Sequence, residues 1–280
     1  MSEDAYTAGL GVRVEHVDGD GARIRVPFQD ANSNPGGALH GGVAASMIDI
    51  AAVIAARAGT ADGLGHGVVD LTVDYLAAAI REDVVGTARV LRRGKELAYV
   101  AVDVATDAGK AIATGLVTHR SAVAGDPTRQ RHDAATPLAP AGGELPSFVR
   151  FFTAAPFMAR LGLAARVVRD GLAQVALPWQ PANTDAAGCL HDGALAALVD
   201  TTAAMASWSL VPLDPRNKAS TVGLHVCHLA AARDEDVVAQ ARTLRRNDEL
   251  FMNVVEVQGV RSARPVAIAT VTYRIVVPVA

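Results

Sequence analysis

Residues 34–57 read NPGGALHGGVAASMIDIAAVIAAR, and residues 185–208 read DAAGCLHDGALAALVDTTAAMASW. Each stretch passes from a glycine-bearing turn through a histidine into an Ala-rich run that carries one aspartate. His40 and His191 are 151 positions apart, and so are Asp49 and Asp200. A spacing shared by two such marks over so long an interval identifies a duplication, which governs every later reading of the chain. The register extends upstream without a gap, because LGVRVEHVDGDGARIRVPFQDAN (10–32) and LGLAARVVRDGLAQVALPWQPAN (161–183) are again 151 apart. Downstream, VVDLTVDYL (68–76) matches TVGLHVCHL (221–229) at 153.

The Ala-rich run has helical periodicity. At 100° per residue, Val43, Met47, Ile50 and Ile54 form one stripe, and Asp49 lies opposite among Ala45, Ala52 and Ala56. In the second copy Leu195, Leu198, Thr202 and Met205 form the stripe, and Asp200 lies among Ala196, Ala203 and Ser207. Both faces are apolar, so each helix is expected to be buried on both sides. A carboxylate on the small-residue face is costly unless it is partnered or used.

Around each helix the pattern is strand-like. Residues 10–15 and 22–28 flank the turn Asp18-Gly19-Asp20-Gly21, and 84–92 and 97–105 flank Arg93-Gly94-Lys95. Residues 111–119 and 265–276 are the last strands of the two copies, and the second-copy hairpin turns at 246–248. Each copy thus reads strand, strand, long helix, four strands, an α+β layout. The expected organisation is domain 1 over residues 1–120, a linker over 121–146 rich in Ala, Pro, Gly and Thr, and domain 2 over 147–280. Residues 1–9 read as a short lead-in, and 147–161 as a short helix or two.

Composition narrows the function. Half the 280 residues are hydrophobic, enough for a core in each copy. A net charge of −3 argues against general nucleic-acid binding, and 4% aromatics argues against base-stacking platforms. The first ten residues lack basic and apolar signal regions, and both long helices are interrupted by Asp. No signal peptide, no membrane span and a cytoplasmic location are therefore expected. Two cysteines imply no disulfide framework. Cys227 reads as a small core residue, and Cys189 has no evident base to make it a nucleophile. His225 and His228 are three apart on a strand, face opposite sides and make a poor metal pair, so no metal is implied. His66 and His119 read as surface or strand-end histidines.

The pattern Asn34-x5-His40-Gly41-Gly42-x6-Asp49 resembles the signature of hotdog-fold acyl-CoA thioesterases of the phenylacetyl-CoA thioesterase type. VVDLTVDYLAAA and VLRRGKELAYVAVDV resemble the same family, and the likeness covers nearly all of both copies. It implies two tandem hotdog domains, each an antiparallel sheet wrapped around one helix, paired as a pseudo-dimer within one chain. It also implies an acyl-CoA substrate, no cofactor, and further assembly of the double hotdog into a homo-oligomer.

The residues supply the logic of such a site. His40 and Asp49 are nine apart, about 180° around a helix, so they converge only with the other copy: His40 with Asp200, and His191 with Asp49. A carboxylate can act as general base or attack directly, and amides at a helix N-terminus, here Gly41 and its neighbours, can hold an oxyanion. The Asn34 amide adds a donor. By resemblance the first site combines Asn34, His40 and Gly41 with Asp200 and Thr221. The second combines His191 with Asp49, but has Asp185 for Asn, Asp192 for the first Gly, and Val68 where a hydroxyl is expected. An ionised Asp185 cannot donate, and extra negative charge opposes an oxyanion, so the second site is expected to be degenerate. The family's nucleotide end falls near Arg92, Arg93 and Lys95 and near Arg245 and Arg246. The competing readings are a non-catalytic acyl-CoA binder and a hotdog hydratase or dehydratase.

Overall fold

The computed structural model describes residues 4–58, 66–121, 136–214 and 216–277. The first half contains helix α1 (Ala5–Leu10), β1 (Arg13–Val17), β2 (Gly21–Val26), the long helix α2 (Gly41–Ala58), β3 (His66–Tyr75), β4 (Val84–Arg93), β5 (Leu97–Thr106) and β6 (Ala111–Ser121). The second half contains α3 (Phe148–Thr153), α4 (Pro156–Leu161), β7 (Ala164–Arg169), β8 (Leu172–Leu177), the long helix α5 (Asp192–Trp208), β9 (Lys218–His228), β10 (Val237–Asn247), β11 (Leu250–Gly259) and β12 (Pro265–Val276). The expected strand and helix order is met in both halves.

All twelve strands join one antiparallel sheet in the order β1-β2-β4-β5-β6-β3-β9-β12-β11-β10-β8-β7. The halves meet edge to edge at β3 and β9, where Asp70 pairs with Cys227, Thr72 with His225 and Asp74 with Gly223. Joining the two edges removes the exposed ladder that each half would otherwise present.

Both long helices lie against this sheet and are buried along nearly their whole length. Met47 and Ile48 of α2 reach the sheet where it carries glycine. A Cβ built on Gly86 would lie 3.6 Å from Met47 Cε, and one on Gly115 would lie 2.8 Å from Ile48 Cγ2. By length and composition α2 could cross a membrane, but most of it is buried inside the protein.

The two helices also touch each other through small residues. A Cβ on Gly42 would fall 2.5 Å from Ala197 Cβ, and one on Gly193 would fall 2.6 Å from Ser46 Oγ. Gly42 and Gly193 are repeat equivalents, as are Ser46 and Ala197, so the contact is nearly two-fold symmetric. The N-terminal turn of each helix therefore lies on the other helix.

Two readings are corrected. The lead-in contains helix α1, capped by Asp4, which accepts from the Thr7 N–H at 2.7 Å. Leu10, expected in a strand, ends that helix, and Gly11 closes it at φ 74°. Tyr6 lies 151 before Phe157 of α4, so the duplication begins earlier than residue 10. Of the expected linker, residues 122–135 lie outside the described residues, as do residues 1–3. Its end runs over the face of the second half-sheet turned away from α5. The Ala139 N–H donates to Gln240 Oε1 at 2.7 Å, and Gln174 Nε2 donates to the Ala139 carbonyl at 2.8 Å.

Adding a methyl at the helix crossing should force the helices apart. Gly42→Ala and Gly193→Ala are each expected to lower stability by about 1–3 kcal/mol in chemical denaturation. An unchanged midpoint in both would mean that the helices do not meet there.

Candidate active site

Asp200 sits within α5, 4% exposed. Its Oδ1 accepts from the Thr221 hydroxyl of β9 at 2.5 Å. Its Oδ2 lies 3.9 Å from His40 Nδ1, at the start of α2 in the other half. Gly41 is closer still, since a Cβ there would be 2.9 Å from Asp200 Oδ2. Any side chain at position 41 would fill the space between the helix start and the carboxylate. His191 and Asp49 make the matching approach, Nδ1 to Oδ2 at 3.7 Å. The structure thus brings together the crossed pairs and not the pairs within one helix.

Neither close approach is a simple ion pair. His40 Nδ1 accepts from the Gly42 N–H at 2.9 Å, so that nitrogen carries no proton. Burial holds the imidazole down to about 3, leaving it neutral at ordinary pH. His191 Nδ1 accepts likewise from the Gly193 N–H at 3.0 Å. Each histidine therefore caps its helix and consumes the second amide, so the Gly41 N–H is the amide that the first site offers.

The carboxylates lie outside their ordinary range. Burial raises Asp200 to about 6, partly offset by the Thr221 hydrogen bond, which favours the ionised form. Burial also raises Asp49, with His191 opposing and Asp192 adding to the rise. Asp49 Oδ1 is buried with no hydrogen-bond partner, because Val68 stands where Thr221 serves Asp200.

Asn34 and Asp185 do the same structural work. Asn34 Oδ1 accepts from the Gly36 and Ala38 N–H groups at 2.8 and 3.1 Å. Asp185 Oδ1 accepts from the Ala187 and Cys189 N–H groups, both at 2.9 Å. The exchange of Asn for Asp keeps the turn and removes only the amide donor.

The second site opens on a cavity of about 800 Å³. Asp49, Asp185, His191 and Asp192 all line it, and Ile50, Val53 and Ile54 of α2 form an apolar wall. His119, expected at the surface or at a strand end, lies near the end of β6 but is buried, and it lines the cavity too. Asp192 occupies the first turn of α5, and its Oδ1 lies 3.2 Å from His228 Nδ1. Burial alone would raise Asp192, but His228 outweighs it and holds the carboxyl below its usual range. A negative charge already sits at the positive end of this helix.

The sequence reading missed four contributors. Tyr6 stacks on His191 with centroids 4.6 Å apart, and Phe157 packs on His40 at 5.0 Å. Tyr75 donates to the Gly41 carbonyl at 3.1 Å, and its counterpart 153 positions on is His228. The 151 offset, carried a few residues upstream, pairs Tyr6 with Phe157, and the 153 offset already pairs Tyr75 with His228.

Two of the hairpin cations have partners within the fold. Arg93 donates to the Ala55 carbonyl at 3.2 Å and also to the Ala56 carbonyl, capping the end of α2. Arg246 donates to the Leu210 carbonyl at 3.1 Å, just beyond α5. Arg92, Lys95 and Arg245 are exposed. None of the five lines the cavity, whereas Arg13 and Arg57 do. Cys227, expected in the core, is half-buried on the outer face of β9, while Cys189 is buried and burial raises its thiol.

The profile of the Thioesterase superfamily matches the chain twice, over residues 36–113 and 187–259, together more than half its length. The chain belongs to that superfamily and is a thioester hydrolase by class. Human acyl-coenzyme A thioesterase 13 is 38% identical to it over 89 residues, 31% of this chain and 63% of that protein. The match therefore spans less than two thirds of that relative. Among solved structures, acyl-CoA thioesterase II TesB2 from Mycobacterium marinum superposes with a TM-score of 0.68 at 15% identity, covering 95% of this chain and 96% of that one. A protein of unknown function with a hot dog fold from Alicyclobacillus acidocaldarius gives 0.67 at 18% identity, covering 95% and 97%. At such identities the likeness shows the fold, a tandem double hotdog along the whole chain.

Holding Asp200 ionised in this setting works against folding. Its pKa in the fold is about 6 against 3.8 for the free side chain, a difference of order 3 kcal/mol. The sign follows from the raised value: the penalty is absent below the unfolded pKa and complete above the folded one. Asp200→Asn is expected to raise the melting temperature at pH 8 and to change it little at pH 4. A melting temperature lowered at pH 8 would contradict this.

Proposed function

We propose that the chain hydrolyses acyl-CoA thioesters, with the Asp200 site doing the chemistry. The observation that carries this is a buried carboxylate, oriented by a hydroxyl, lying against the glycine that starts the opposite helix. Asp200 takes a proton from water as the water oxygen bonds to the thioester carbonyl carbon. The carbonyl oxygen becomes negative and accepts from the Gly41 N–H and the Asn34 amide. The C–S bond then breaks, and the proton passes to the departing thiolate, giving free acid and CoA. A base whose pKa lies just below neutrality suits this step. The acyl-CoA thioesterase among the relatives supports the choice of substrate.

The cavity favours a second reading of the other half: the Asp49 site binds the same ligand without turning it over. Its base lacks an orienting hydroxyl, and Asp192 places negative charge where the oxyanion would form. A hydratase or dehydratase has no comparable support.

Thiol release over a panel of CoA thioesters tests both readings. Asp200→Ala should lower kcat/KM by about 10²- to 10⁴-fold, while Asp49→Ala leaves it nearly unchanged. Equal losses would reject the asymmetry, and ligand binding with no thiol release by the wild type would make the chain a binder. The pH profile of kcat/KM should rise through an inflection near 6 and level off above it, as Asp200 ionises. Thr221→Val removes a bond that favours the ionised form, so the inflection should move to higher pH. A profile unmoved by that change would separate the inflection from Asp200.

A further inference from the structure

A group of side chains unrelated to the thioester site lies on the outer face of the sheet, across the seam between the halves. Asp70 of β3 faces His225 and Cys227 of β9. The alternation of the strands sets this direction, because Leu71, Val73, Leu224 and Val226 point the other way into the core. Asp70 Oδ2 lies 2.5 Å from His225 Nε2 and 3.5 Å from Cys227 Sγ, and Sγ lies 3.8 Å from Nε2.

We propose that Asp70, His225 and Cys227 form a divalent transition-metal site, of the kind that takes Zn²⁺, which clasps the two halves of the chain across the β3–β9 seam. The donor set is one carboxylate oxygen, one imidazole nitrogen and one thiolate, with water left to complete a tetrahedron. Bond lengths of about 2.0 Å to O and N and about 2.3 Å to S give tetrahedral edges of roughly 3.5 Å from sulfur and roughly 3.3 Å between N and O. The two sulfur edges already have nearly these lengths. The third requires His225 and Asp70 to part by under about 1 Å. His225 is 44% exposed on its side chain, so its ring can swing outward. On binding, the Cys227 thiol gives up its proton to solvent, and His225 coordinates through Nε2 as a neutral imidazole with its N–H on Nδ1.

The pairing across the seam separates this group from the duplicated site. By the 153 offset the equivalent positions are Gly223 for Asp70, Thr72 for His225 and Asp74 for Cys227. The equivalent positions on the other side of the seam therefore carry neither imidazole nor thiol, and the duplication does not repeat the site. Neither half alone holds all three donors.

Cobalt is the probe, because Zn²⁺ is spectroscopically silent. The tag-free full chain, freed of metal with a chelator, is titrated with Co²⁺. The expected result is a thiolate-to-cobalt charge-transfer band and tetrahedral visible bands that saturate at one equivalent and vanish when Zn²⁺ is added. Cys227→Ser should abolish the charge-transfer band, Asp70→Asn should weaken Co²⁺ binding at least about tenfold, and Cys189→Ser should leave both intact. Absence of a thiolate band, an octahedral spectrum, or a band that survives Cys227→Ser would overturn the site. None of these readouts depends on thioester turnover.

Discussion

Nine residues along an α-helix make two and a half turns, so His40, at the start of α2, and Asp49, within it, face opposite sides. No bend short of breaking the helix can bring them to one atom. The duplication resolves this by crossing two such helices where glycine meets a small side chain, Gly42 on Ala197 and Gly193 on Ser46. That close approach sets the start of each helix beside the middle of the other. Everything chemical in the molecule follows from the crossing, and the joined sheet edges at β3 and β9 keep the halves from turning relative to each other.

The crossing also explains why the two sites could diverge. Each draws its turn and histidine from one half and its acid from the other, so a change in either half alters one site and spares its twin. Thr221 serves only Asp200, and the Asp192–His228 pair burdens only the Asp49 site. The second site nevertheless retains its turn, its histidine cap and a roomy cavity. Turn geometry survives the exchange of Asn for Asp because the turn uses only the side-chain oxygen. Chemistry does not, because the donor is on the nitrogen.

Much of this was legible in the residues. The offsets of 151 and 153, the strand alternation and the half-turn argument lead to the element order and to the crossed pairs. What was not legible had physical causes. A six-residue helix such as α1 is too short to show a period, so Tyr6 and Phe157 carry no signal beyond the offset that pairs them. An arginine at a hairpin end reads the same whether it meets a phosphate or a helix carbonyl, and Arg93 and Arg246 take the carbonyls. Residue type alone places Cys227 in the core, but its strand parity sets it with His225 and against Leu224 and Val226. Tyr75 and His228 end their strands beside the helix starts, a proximity that only the folded sheet creates.

A double-mutant cycle on thioester turnover tests the crossing most directly. His40→Ala is combined once with Asp200→Asn and once with Asp49→Asn, and kcat/KM is measured for every single and double variant. The account predicts strong non-additivity for His40 with Asp200, which share a site, and simple additivity for His40 with Asp49, which share only a helix. Coupling that instead joined His40 to Asp49 and left Asp200 independent would contradict it.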